Sequence, residues 1–177
     1  VHSGDIERIE EFAFLDDRAK EMAQQFWPGP LTLVLKRKVG LDPIITAQLP
    51  TVAVRMPNHP WTLDMLRKSG LAVAAPSANP FGYISPTSAQ QVMDTLGHRI
   101  DFIVDGGPSN VGIESTILDL SGRQPVLLRR GQISPSQIEE KIEQAIHFPT
   151  ENSESRPIAP GRLPFHYCPK TPLELFR

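Results

Sequence analysis

The spacing of apolar residues alternates along this chain between a helical and a strand period, and the switches fall at proline and glycine. Ile6 and Ile9 open a helical stretch over residues 4–26 that breaks near Asp16 and Asp17, either of which can cap the helix after the break. Ala19, Met22, Ala23 and Phe26 then recur at i, i+3, i+4 and i+7, one face of a helix, until Trp27-Pro28-Gly29-Pro30 stops it. Leu31–Lys38, apolar and β-branched before three basic residues, predicts a strand. After a loop to Pro50, Thr51–Met56 predicts a second strand, with Val52 and Val54 alternating against Thr51, Ala53 and Arg55. His59-Pro60 opens a helix to about Ser69, with Leu63 and Leu66 inward and Gly70 as its stop.

The middle of the chain, Leu71–Gln91, starts as a short run of small apolar residues, Leu71–Ala75, which predicts a buried strand. It breaks at Pro76, presents Ser77 and Asn79, and breaks again over Pro80–Pro86 before a helix over Ser88–Leu96. Thr87 and Gln90 form a candidate capping box, and Ala89, Val92, Met93 and Leu96 a candidate apolar face. A strand ending in small polar residues before a helix start suits a ligand site; an ordinary turn satisfied by Ser and Asn explains it as well. Further strands are predicted over Ile100–Val104, in Val111–Leu120 after a turn at Gly112, and over Gln124–Arg130. Ser134-Pro135-Ser136-Gln137 is a strong helix start, followed by Ile138, Ile142, Ala145 and Ile146 as a buried face. Residues 148–164 have no hydrophobic period and read as a linker or an ordered loop. His166-Tyr167-Cys168-Pro169 then reads as an apolar anchor for the tail.

Composition narrows the class. A chain of 177 residues with 40% hydrophobic and 21% charged residues is long enough to bury a sizeable core. The formal charge of −2 gives no argument for wholesale nucleic-acid binding, although a local basic patch is compatible with it. The one cysteine, Cys168, excludes an internal disulfide and a multi-cysteine zinc site. No apolar run has membrane length and no signal peptide opens the chain, so a soluble cytoplasmic protein without membrane partners is expected. The chain opens at Val1 in an acidic helical pattern and closes on KTPLELFR, so both ends read as cut.

The sequence carries no phosphate-binding G-x-x-x-x-G-K-[ST], no strand-linked G-x-G-x-x-G, no H-E-x-x-H and no G-x-S-x-G. Its five histidines lie at no metal-ligand spacing, so no metal site is assigned. What remains is a set of hydroxyl, amide and guanidinium groups at strand ends: Thr51, Arg55, Ser77, Asn79, Ser115, Thr116, Arg129 and Arg130. Arg55 reads equally as a surface arginine or as a clamp for carboxylate or phosphate, both of which a guanidinium matches bidentately. The set holds no strong acid or base for neutral pH. It suits an anionic, oxygen-rich ligand and a reaction such as phosphoryl or nucleotidyl transfer, where positioning and charge stabilisation carry the rate.

The strings FWPGPLTLVL (26–35), VAVRMPNHP (52–60), AAPSANPFGYISPTS (74–88), GIESTILDL (112–120) and LLRRG (127–131), in this order, resemble the YrdC/Sua5 family of threonylcarbamoyl-AMP synthases. APGRLPFHYCPKTPL (159–173) is similar to the linker of the longer, Sua5-type members. The resemblance implies an α/β fold with a twisted mixed parallel and antiparallel sheet, flanking helices and a deep cavity. It also implies condensation of L-threonine, bicarbonate and ATP, with magnesium, into threonylcarbamoyl-AMP and pyrophosphate for tRNA modification. Candidate partners are tRNA or the downstream threonylcarbamoyl transferase. On this resemblance Arg55, Ala75 and Ser115 match threonine contacts. Thr51, Ser77, Asn79, Ser85 and Arg129 match ATP contacts, and His166 and Tyr167 match a linker segment that folds over the nucleotide. No residue is assigned as catalytic.

The resemblance also implies a domain over 1–147 lacking its N-terminal section, then a linker and the start of a further domain over 148–177. The family's Lys-x-Arg pair for ATP phosphates has no counterpart in residues 1–25, and Arg130 stands where proline is usual. The 177 residues alone are therefore expected to have little or no synthase activity. Competing readings are an RNA-binding module, an inactive remnant, and the carbamoyl-adenylate domain of a hydrogenase-maturation carbamoyltransferase. The zinc-finger cysteines that accompany the last are missing.

Overall fold

The computed structural model describes residues 1–149, which fall into two compact units: residues 1–75 with 113–149, and residues 76–112. The readings made for His166, Tyr167 and Cys168 lie outside the described residues.

The first unit is built on a four-stranded sheet: β1 (Leu31–Lys36), β2 (Thr51–Val54), β3 (Thr116–Asp119) and β4 (Val126–Arg129), in the order β2-β1-β3-β4. β1 is antiparallel to β2 and parallel to β3, and β3 is antiparallel to β4, so the sheet is mixed as expected. Alternation along the strands sorts their side chains. Leu31, Leu33, Leu35, Val52, Val54, Leu118 and Leu127 turn to one face and join the core. Helix α2 (Asp17–Phe26) adds Ala19, Met22 and Ala23 to that core, and α5 (Pro135–Ile142) adds Ile138. The short α1 (Ile6–Glu10) contributes Ile9.

Helix starts follow the sequence closely. Asp16 caps α2 by accepting from the Ala19 N–H, and the Ser134–Gln137 capping box of α5 is complete, with Pro135 at its first turn. Helix α3 (Pro60–Ser69) is capped by the His59 ring, which accepts from the Thr62 N–H, and ends at Gly70 in the left-handed conformation. Leu66 is its buried anchor.

Three predicted elements differ. Leu71–Ala75 is not a strand: only Val73 pairs, in an isolated bridge to His2, because among the described residues no further strand lies alongside it. Ile100–Val104 forms no strand either; in the second unit it finds no ladder partner, and Phe102 is 91% exposed. Helix α4 (Ala89–Leu96) forms where the pattern placed it, but no residue on it is buried. Its cap is shifted by one position: Ser88 accepts from the Gln91 N–H, and the Gln91 side chain accepts from the Thr87 N–H. The loop before β2 contains a short 3-10 turn, Pro43–Thr46, that the sequence pattern did not signal.

Candidate active site

The strand directions bring four chain ends to one edge of the first unit's sheet. β1 and β3 start there, while β2 and β4 finish there. Thr32, Ile117 and Arg129 pair in a row across β1, β3 and β4, on the face opposite Leu31 and Leu33. Arg55 follows Val54, the partner of Leu33, and so falls beside Thr32. Ser115 stands two residues before Ile117, on the same side of its strand.

Side-chain contacts tie this edge together. Ser115 is buried, and its Oγ lies 2.7 Å from Thr32 Oγ1. Arg129 donates from Nε to the Ser115 carbonyl at 3.0 Å and from Nη2 to Ser115 Oγ at 3.0 Å. The same Nη2 stands 3.4 Å from Glu114 Oε2. One strand over, Arg55 Nε donates to the Gly29 carbonyl at 2.9 Å, and the Gly29 N–H donates to the Met56 carbonyl. The Trp-Pro-Gly-Pro turn is thus an orienting support for Arg55. A Cβ on Gly29 would sit 2.1 Å from the Phe26 carbonyl oxygen, so only glycine fits. Gly131 plays the matching part after β4, since a Cβ there would meet the Thr116 nitrogen at 2.4 Å and the Glu114 carbonyl oxygen at 2.6 Å.

Burial lowers the pKa of the Arg55 guanidinium, Arg129 lowers it further, and Glu114 opposes both. Two half-buried cations beside one carboxylate make an anion-seeking edge whose mutual repulsion an anionic ligand relieves.

The structure adds three residues that the sequence pattern did not single out: Thr32, Glu114 and His2. His2 is bound between two segments: its N–H donates to the Val73 carbonyl at 2.7 Å, and its carbonyl accepts from the Val73 N–H at 2.8 Å. On its other side Val1 and Ser3 bond to both backbone groups of Arg55. Burial, with Arg55 adding to it, lowers the His2 pKa from 6.5 to about 4, so the imidazole is neutral at pH 7. Its Nδ1 is buried and makes no hydrogen bond among the described residues. Its partners lie more than fifty residues away in the chain, and a lone histidine carries no local signal of that.

The remaining candidates are spread over both units. Thr51 starts β2 opposite Lys36 and is half-buried; Ala75 is exposed. In the second unit, Ser77 is exposed, and Asn79 and Ser85 are half-buried. Asn79 Nδ2 donates to the carbonyls of Pro80 and Tyr83, so its amide shapes the loop before α4, while its Oδ1 is buried without a hydrogen bond among the described residues. Arg130 points elsewhere from Arg129 and stacks over the Phe148 ring at 4.9 Å. Among the described residues no group of three or more His, Cys, Asp or Glu could hold a metal ion, and no helix is long and apolar enough to cross a membrane.

The first unit thus presents a mixed α/β sheet whose strand ends gather guanidinium and hydroxyl groups. The chain belongs to the Sua5/YciO/YrdC family, whose sequence profile, described as "Telomere recombination", matches residues 1–131. It is 46% identical to the threonylcarbamoyl-AMP synthase of Bacillus subtilis, over 99% of this chain and 51% of that protein. Against the Pyrococcus abyssi threonylcarbamoyl-AMP synthase it is 41% identical, over 96% of this chain and 51% of that protein. The crystal structure of P. abyssi Sua5 complexed with L-threonine superposes with a TM-score of 0.78 at 44% identity, covering 82% of this chain and 44% of that one. Escherichia coli YciO shares the fold, with a TM-score of 0.67 at 22% identity, over 76% of this chain and 66% of that one. The chain spans about half the length of the first two of these relatives.

Proposed function

We propose that this chain is the synthase domain of an L-threonylcarbamoyladenylate synthase, acting on L-threonine, bicarbonate and ATP in tRNA modification. The observation that carries this reading is the gathering of Arg55, Ser115, Thr32 and Arg129 on one sheet edge, in a chain 46% identical to a threonylcarbamoyl-AMP synthase.

In this reading Arg55 holds the threonine carboxylate through its terminal nitrogens, its Nε being committed to Gly29. Ser115 Oγ, already held by Thr32 and Arg129, offers a fixed hydroxyl to the amino acid. His2 presents its unpaired Nδ1 as an acceptor, and Ala75 contributes its backbone or methyl group. On the family resemblance, ATP contacts are assigned unit by unit, to Arg129 and Thr51 in the first and to Ser77, Asn79 and Ser85 in the second, where Asn79 acts by shaping its loop. The threonine amine and bicarbonate give a carbamate and water. A carbamate oxygen then attacks the α-phosphorus in line, and pyrophosphate leaves. No side chain has to exchange a proton with the phosphate, so the rate gain comes from alignment and from the cations facing the developing charge. Magnesium bound with the nucleotide would neutralise charge on its phosphates. Residues 148–177 serve as a linker, with His166 and Tyr167 contacting ATP. tRNA or the transferase that consumes the product is the downstream partner, in a cytoplasmic setting.

The test is release of pyrophosphate together with threonylcarbamoyl-AMP, detected by mass spectrometry and required to depend on all three substrates. The full-length protein is expected to form the product. The 177 residues alone, which contain no Lys-x-Arg counterpart in residues 1–25, are expected to turn over little or not at all. Pyrophosphate release by the full-length protein that ignores threonine would contradict the reading.

A further inference from the structure

The sheet edge carries a carboxylate as well as its two cations. Glu114, directly before Ser115, puts a carboxylate beside the two guanidiniums, and it is placed there rigidly. Gly131 packs against the Glu114 carbonyl and the Ser115 backbone so closely that no Cβ fits between them. The Glu114 side chain keeps 31% of its exposure, so the backbone is pinned while the carboxylate is only partly covered.

Glu114 is also a loose partner for Arg129. At 3.4 Å the contact is longer than the 2.7–2.9 Å usual for a charge-assisted N–H···O bond. The same Nη2 already donates to Ser115 Oγ at 3.0 Å. A carboxylate has about four lone-pair sites, so it can accept from a ligand besides the protein groups around it.

An α-amino acid is a zwitterion whose ammonium sits one carbon from its carboxylate. A site that clamps the carboxylate with a half-buried arginine must place a cation near that same arginine. Unless a carboxylate answers it, the cation faces two guanidiniums at short range and low dielectric.

We propose that Glu114 is the specificity-determining counter-ion for the α-ammonium of the amino-acid substrate, so that the edge selects a zwitterion over a simple hydroxy acid. This rests on the threonine reading of the Arg55–Ser115 edge and deepens it. Glu114 accepts an N–H of the ammonium, and after deprotonation an N–H of the amine, which holds the nitrogen in one orientation. Glu114 is thus a binding and positioning group, and no covalent step passes through it.

The test compares L-threonine with (R)-3-hydroxybutyrate, the same molecule without its amino group, by calorimetric titration of the full-length protein. The wild type is expected to bind threonine at least about tenfold more tightly than the hydroxy acid. Glu114→Gln is expected to lose about tenfold or more in threonine affinity while holding or improving its affinity for the hydroxy acid, so that the ratio falls toward one. Glu114→Asp, which keeps the charge, should recover part of the preference. If Glu114→Gln destabilises the fold, the ratio within the variant remains the readout, because general loosening weakens both ligands alike. An unchanged ratio in Glu114→Gln overturns the inference and leaves the threonine reading standing. A wild type that binds neither ligand overturns that reading, and the inference with it.

Discussion

At the scale of single residues, the decisive feature is how Arg55 is held. Its Nε is fixed to Gly29, its backbone to Val1 and Ser3, and its charge lies near Arg129 and Glu114. A lysine cannot reproduce this, because it has no second donor to anchor while the first binds ligand. Arg55→Lys should therefore raise the KM for threonine about tenfold or more, the value of one charge-assisted hydrogen bond, with a smaller change in the KM for ATP. Steady-state kinetics varying each substrate in turn would separate the two. His2 makes a second residue-scale prediction, through pH. Its pKa is depressed to about 4 in the folded chain against 6.5 when free, so the unfolded chain takes up the proton first. The stability gained by keeping the imidazole neutral is full above pH 6.5 and is lost as the pH falls toward 4. Thermal melts should show wild type losing stability between pH 7 and pH 4.5 faster than His2→Gln, with the gap closing again above pH 7. Parallel curves would mean that His2 titrates freely.

At the scale of elements, the parts legible in the sequence were those whose signals are local. Ser134-Pro135-x-Gln137 fixes the start of α5 by itself, and Trp27-Pro28-Gly29-Pro30 ends α2 by itself. Leu71–Ala75 and Ile100–Val104 have strand composition, but a strand exists only where a neighbour supplies a ladder, and neither run has one. The same limit hid His2, whose partners Arg55 and Val73 are distant in the chain. The candidate site divides along that line. Arg55, Ser115 and Arg129 were visible as polar residues at strand ends. Their shared edge required the β2-β1-β3-β4 order, which no local pattern encodes. Arg18 was not singled out at all, yet it closes the β3–β4 hairpin onto α2 by donating to the carbonyls of Leu120, Gly122 and Arg123 while pairing with Asp16. Arg18→Ala should cost about 2 kcal/mol in a denaturant titration, because three carbonyls lose a cationic donor. Arg18→Lys should recover only part, since one ammonium cannot span all three.

At the scale of the whole molecule, family membership and the sheet edge support each other without being the same observation. Membership rests on the profile match over residues 1–131 and on relatives about twice as long as this chain. The sheet edge rests on register and hydrogen bonds within the first unit. The central claim is that L-threonine lands on this edge, and the most direct measurement is an NMR titration of the full-length protein with L-threonine, following arginine Nε–Hε and backbone amide signals. The expected result is saturable shifts at Arg55 Nε, at the amides of Glu114 and Ser115 and at His2, with Arg18 Nε unmoved as an internal control. Shifts that bypass Arg55 and Ser115 and gather elsewhere in the chain would contradict the account.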